Sequence, residues 1–257
     1  MLPQSQRMEA CIITSSASSQ HVVQTRRDLE ACGWAVSIID AVTPKDADFE
    51  KMSSYGKYLM RGCGARHTNA HFTAESAFGC LLAHKNAFLH CVRAAAPLLV
   101  LEDNCKILDF AELEECRSIF AKKEMHFLLC HTTGRLSETC PKPVLETSKH
   151  VIEFTSKSKV MALVGPDMST KCYLISPIFA QHMLALMESR IDNLHIDAWL
   201  TLEASYLYGA FKLGQAGIYH GKLCKRVKLN SLRIKHSPVW NNTSLSQHLL
   251  QSFNPRF

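Results

Sequence analysis

The sequence predicts an α/β fold with a mostly parallel central sheet flanked by helices, and three observations carry that expectation. The chain opens in βαβ order: residues 8–14 read as a buried strand, 20–32 as a helix and 34–39 as a second strand. A wholly apolar run at 98–101 lies between a helical stretch and a charged one, as a central parallel strand does. A third strand-to-helix transition follows at 173–189, where Ser176 is placed to cap and Pro177 occupies the first helical turn.

Each element has a local cause. The Ser-rich stretch after Thr14 supplies a loop and a helix N-cap; Val22, Val23 and Leu29 make the apolar side of the helix, and Gly33 stops it. Thr43-Pro44 turns the chain after the second strand. Residues 45–72 read as irregular and helical in part. From 73 to 95 a long helix is expected, with Phe78, Leu81, Leu82, Phe88 and Val92 on its apolar side and Pro97 ending it. Asp109 caps the next helix. Strands are expected at 125–130, 150–154 and 160–164. No internal repeat is present. The expected division is one α/β domain over 1–220 and a basic tail over 221–257.

With 257 residues the chain is near the upper size of a single domain and can bury roughly three quarters of its unfolded surface. Neither GxGxxG nor GxxxxGK[ST] occurs, which argues against a Rossmann dinucleotide site and a Walker loop. The first ten residues lack the apolar core of an export signal, and the most apolar stretches are too short to cross a bilayer. The cysteine count, eleven, is odd and includes no CxxC pair. Cys11, Cys80, Cys91, Cys130 and Cys172 lie in apolar runs and read as small core side chains. A reduced, cytoplasmic chain is expected, and no zinc site, because no Cys/His spacing of the usual kind is present.

The net charge of +6 is unevenly placed: no Asp or Glu follows Glu203, while Lys222, Lys225, Arg226, Lys228, Arg233 and Lys235 crowd one stretch. Such a segment suits a diphosphate, an anionic acceptor or a peripheral contact with membrane headgroups; the alternative is a solvated tail without a partner. Specific nucleic-acid binding is not expected, since no RRM, KH or zinc-finger pattern occurs and no aromatic residues interleave the basic run.

Glu102-Asp103-Asn104 follows the apolar strand directly, at the kind of strand end where open α/β sheets bind ligands. Two carboxylates and an amide oxygen are hard donors suited to Mg²⁺ or Mn²⁺; the alternative is a plain solubilising loop. The stretches Phe78-Gly-Cys-Leu-Leu-Ala-His84 and Leu98-Leu-Val-Leu-Glu-Asp-Asn104 together resemble glycosyltransferase family 25, which includes lipooligosaccharide and collagen galactosyltransferases. Residues 11–14, 38–42, 171–176 with Ala180, and Ile196-Asp197 agree with the family in order, so the resemblance spans 8 to about 220. The chain departs from the family pattern at Ala77 (glutamate in the family), Ala83 (serine) and Asn104 (aspartate).

The resemblance implies a GT-A-like fold and inverting transfer of a hexose, galactose or glucose, from a UDP-sugar to an acceptor hydroxyl on a glycan, lipid-linked glycan or protein. It implies Asp103 as the metal ligand, assisted by Asn104 or Glu102, and Asp197 as the base, the alternative for Asp197 being a helix N-cap. His84 is placed either against donor or acceptor or as a satisfied core histidine. Gly79 and Cys80 are expected to let the helix pack closely, and Lys222, Lys225 and Arg226 to reach the diphosphate. The three departures leave a second reading, a sugar- or nucleotide-binding relative without turnover.

Overall fold

The computed structural model describes residues 9–43, 74–130, 151–153, 170–190, 196–197, 200, 216–219 and 223–227. The strand expected at 160–164 and the irregular stretch at 45–72 lie outside them. Strands β1 (Glu9–Thr14), β2 (Ala35–Asp40), β3 (Leu98–Glu102), β4 (Cys105–Ile107), β5 (Phe127–Leu129), β6 (Val151–Glu153), β7 (Cys172–Ile175), β8 (Ala216–Tyr219) and β9 (Cys224–Arg226) alternate with helices α1 (Gln20–Ala31), α2 (Ala74–Ala94), α3 (Phe110–Lys122) and α4 (Pro177–Arg190).

Among the described residues seven strands form one sheet in the order β2-β1-β3-β7-β5-β8-β6, and β4 pairs with β9 as a separate ribbon. The sheet is mixed. β1 runs parallel to β2 and to β3, and β5 parallel to β8. β7 runs antiparallel to both β3 and β5, and β6 antiparallel to β8. The apolar strand β3 is therefore central but parallel on one side only. An apolar run buried on both faces reads the same in either direction, because burial and not strand polarity dictates the side chains.

Alternation along the strands divides the core between the two faces. Cys11, Ile13, Leu98, Val100, Tyr173 and Ile175 meet α2 and α4 through Phe78, Leu81, Phe88, Phe179 and Met183. Ile12, Leu99, Leu101, Cys172 and Leu174 meet α1, α3 and the β4–β9 ribbon through Val22, Leu29, Leu113, Phe120 and Leu223. The helix ends follow their sequence signs. Ser19 and Asp109 accept main-chain N–H bonds as N-caps. Ser176 Oγ accepts from the Phe179 N–H at 3.2 Å ahead of Pro177. Gly33 takes φ +88, while its own N–H and that of Trp34 bond back to the Glu30 and Leu29 carbonyls. That paired return is a Schellman closure, which favours glycine at the left-handed position.

Gly79 fixes how α2 approaches the carboxyl end of β2, since a Cβ there would collide with the carbonyl oxygen of Val42. Gly79→Ala tests this contact, because its two effects oppose each other. Alanine gains about 1 kcal/mol in helix propensity. Overpacking against main chain costs roughly 1–3 kcal/mol. The variant is expected to unfold at lower urea concentration than the wild type; a higher midpoint would show that the close approach is not a constraint.

Candidate active site

The three parallel strands end at one edge. Register places Thr14 beside Asp40, and Ile13 beside Glu102. Because β7 is antiparallel to β3 and Leu101 faces Cys172, the residues just before β7 arrive at this same edge. The main chain of the acidic triplet is tied there to three separate segments. The N–H of Glu102 donates to the Lys171 carbonyl at 3.0 Å, the N–H of Asp103 donates to Ile13 at 3.0 Å, and the carbonyl of Asn104 accepts from Val227 at 2.7 Å. The third tie brings the basic segment assigned to the tail into the fold, as β9 beside β4.

Side chains leave this turn in two directions. Glu102 continues the alternation of Leu98 and Val100 toward α2. Its Oε1 accepts from the Thr170 hydroxyl at 2.6 Å and lies 3.7 Å from His84 Nε2. The Thr170 hydroxyl also stands 2.6 Å from Asp197 Oδ1. Thr170 has a single proton to donate, so it serves one carboxylate at a time and holds the two on either side of it. Asp103 turns toward β1 instead, where its Oδ2 accepts from the Thr14 hydroxyl at 2.8 Å. The Asn104 Oδ1 is buried and has no hydrogen-bond partner among the described residues. An acceptor left in that state costs about 1–3 kcal/mol unless a ligand or water meets it.

The electrostatics divide in the same way. Burial alone would raise the Glu102 carboxyl, but the contact and charge of His84, the Lys171 ammonium and the Thr170 hydroxyl outweigh it. They pull Glu102 down to about 2 from an ordinary 4.5. Burial pushes the Asp103 carboxyl up, with the Glu102 charge adding, against the Thr14 hydroxyl, the Ser15 main chain and His21. Burial also pushes Tyr173 up, which keeps it a neutral phenol. Its hydroxyl is 2.6 Å from His84 Nδ1. The other ring nitrogen of His84, Nε2, faces Glu102. That nitrogen is buried without a hydrogen-bond partner among the described residues, the carboxylate lying slightly too far.

His84, Glu102 and Asp197 are thus brought together by β3, α2 and the approach to β7. Asp103 and Asn104 sit next to them on a different course. His84 is fully buried, a core histidine that also faces the site. Asp197 lies within a helical stretch and directs its carboxylate at Thr170. Lys225 is exposed on β9 opposite Lys106, on the outer side of the ribbon. Arg226 pairs in register with Cys105. Lys222 lies outside the described residues. Ala77 and Ala83 are buried in the core between α2 and the sheet, where they supply packing. Thr170, Lys171, Tyr173 and Thr14 escaped the sequence reading as site residues. Thr170 and Lys171 become visible only once β7 is antiparallel, which puts its leading residues at the carboxyl end of β3.

The folded value for Glu102 lies below its unfolded one. Its contribution to stability is therefore full above about pH 4.5 and is lost as pH falls from there through about 2. The wild-type melting temperature is expected to drop across that window more steeply than that of Glu102→Gln. Parallel curves would show that the His84–Thr170–Lys171 setting does not hold the carboxylate ionised.

No helix among the described residues is long and apolar enough to cross a membrane. A search of the curated proteins finds no match. Residues 13–200 match the model of glycosyltransferase family 25, described as an LPS biosynthesis protein. The matched span runs from β1 through Asp197 and contains the acidic triplet, His84 and Thr170. The mixed sheet between helical layers is consistent with a GT-A-like transferase fold. Because the match covers well over half of the sequence, the chain belongs to glycosyltransferase family 25.

Proposed function

We propose that the protein transfers a hexose, galactose or glucose, from a UDP-sugar to an acceptor hydroxyl with inversion. The acceptor belongs to a glycan, a lipid-linked glycan or a protein. The observation that carries this reading is the buried Oδ1 of Asn104, without a hydrogen-bond partner among the described residues, next to the half-buried carboxylate of Asp103. Together they offer hard oxygen donors at the carboxyl edge of the sheet, fitted to Mn²⁺ or Mg²⁺. Asp103 and Asn104 would hold the cation. Glu102, whose Oε1 is engaged by Thr170, assists through its charge. When bound, the cation offsets the charge that develops on the departing nucleotide diphosphate.

The remaining chemistry belongs to the chain's own side chains. Asp197 takes the proton of the acceptor hydroxyl as that oxygen bonds the sugar's anomeric carbon. The bond from that carbon to the diphosphate breaks on the opposite face, which inverts the centre. Thr170 aims the Asp197 carboxylate from its 2.6 Å contact. Lys171 adds positive charge beside Glu102. The basic segment with Lys222, Lys225 and Arg226 reaches the diphosphate or an anionic headgroup, its approach supported by the bond from Val227 to Asn104.

The test is release of UDP from a panel of UDP-sugars with Mn²⁺ present, for the wild type, Asp103→Ala and Asp197→Asn. Release is expected to depend on the metal and to fall roughly 100-fold or more in Asp103→Ala. Transfer to acceptor is expected to fall by a similar factor in Asp197→Asn. Equal rates in the wild type and Asp103→Ala would remove the metal assignment. UDP binding without release in the wild type would favour the binding-module reading.

A further inference from the structure

A group of cysteines that the proposed transfer does not use converges on the sheet face away from His84. Cys105 on β4, Cys172 on β7 and Cys224 on β9 have their thiol sulfurs all within 4.8 Å of one another. Cys105 and Cys172 are buried, and Cys224 is half-buried. Beside them the Cys224 thiol donates to the Cys130 carbonyl at 3.6 Å, and the Cys130 thiol donates to the Leu128 carbonyl at 3.5 Å. The three clustered cysteines are far apart in sequence, so no ligand spacing announces them. We propose that Cys105, Cys172 and Cys224 form a three-thiolate site for Zn²⁺, with the fourth position left to water.

The geometry favours this reading over packing alone. Tetrahedral Zn–S bonds of about 2.3 Å place sulfurs about 3.8 Å apart, so the trio needs to contract by no more than about 1 Å. Its three residues sit on paired strands, which limits how far each can move: Leu101 faces Cys172, and Cys105 and Ile107 face Arg226 and Cys224. Sulfur donors select soft or borderline cations and reject Mg²⁺ and Mn²⁺, so this site does not compete for the cation proposed at Asp103. Each ligating thiol gives its proton to solvent as its Zn–S bond forms. Binding therefore releases protons and weakens as pH falls.

The site has a structural consequence. β9 is joined to the described fold through the short β4 ribbon and through the ties flanking it, Val227 to Asn104 and Leu108 to Leu223. A cation shared by β4, β7 and β9 staples the basic strand to the main sheet beside the acidic triplet. Zinc in this position steadies the segment without touching the reacting atoms.

The experiment titrates the full-length reduced protein with Co²⁺ and then displaces it with Zn²⁺. A thiolate-to-cobalt charge-transfer band at one equivalent is expected, and Zn²⁺ should abolish it. Cys105→Ser and Cys224→Ser should bind Co²⁺ at least tenfold more weakly, whereas Cys32→Ser, exposed and outside the cluster, should match the wild type. Because a serine in this core can unfold the chain, proton release is read in parallel on the unaltered protein. Zn²⁺ should liberate about three protons per chain near pH 7. Absence of the charge-transfer band, or release of no protons, overturns the proposal. So does a band that survives in Cys224→Ser and disappears in Cys80→Ser, since the cation would then sit at the Cys80–His84–Glu102 group.

Discussion

Three main-chain hydrogen bonds in succession, from Glu102 to Lys171, from Asp103 to Ile13 and from Val227 to Asn104, fix the acidic turn at the end of β3. Buried backbone groups must find partners, and here each of three neighbouring residues finds one on a different segment. The acidic turn is thereby fixed to β1, to the approach of β7 and to the end of β9. A turn held by one neighbour would let its carboxylates wander. Held by three, it offers Glu102 to one face and Asp103 to the other.

That division gives the carboxylates different work. Glu102 is enclosed by His84, Thr170 and Lys171 and stays ionised far into acid. Its position near Asp197 is set by one threonine hydroxyl that contacts both. Asp103 keeps a freer setting, with one oxygen on Thr14 and a neighbouring amide oxygen that lacks a partner among the described residues. In the proposed transfer the first arrangement would serve orientation and proton handling, and the second the capture of a cation. The alanines at 77 and 83 fall on neither, since both pack in the core of α2. Asn104 replaces a charge at the turn but retains the oxygen, which lacks a partner among the described residues.

The parts of this structure that were legible in the sequence are those set by local chemistry. The opening βαβ unit, the long helix, the caps at Asp109 and Ser176 and the stop at Gly33 all follow from residues within a few positions of each other. The triplet was visible as charge directly after an apolar strand. The direction of β7 was not visible, because Cys172–Ile175 is buried on both faces and carries no mark of polarity. Thr170 and Lys171 were missed with it. The short β4 and β9 escaped for a related reason: three residues hold too little pattern to separate a strand from a loop. The thiol cluster depends on that ribbon and was equally hidden. Cys130 and Cys172 read as core side chains, and their neighbours Cys105 and Cys224 reach them only through the fold.

A divalent cation at Asp103 and Asn104 is the claim on which the transfer chemistry rests. Crystals of the full chain grown with UDP and Mn²⁺, with data collected at the manganese absorption edge, test it directly. The account predicts one anomalous peak within bonding distance of the Asp103 carboxylate and the Asn104 amide oxygen, with the diphosphate on its open side. A map with bound UDP but no peak there, or with manganese only at Cys80, His84 and Glu102, would contradict it.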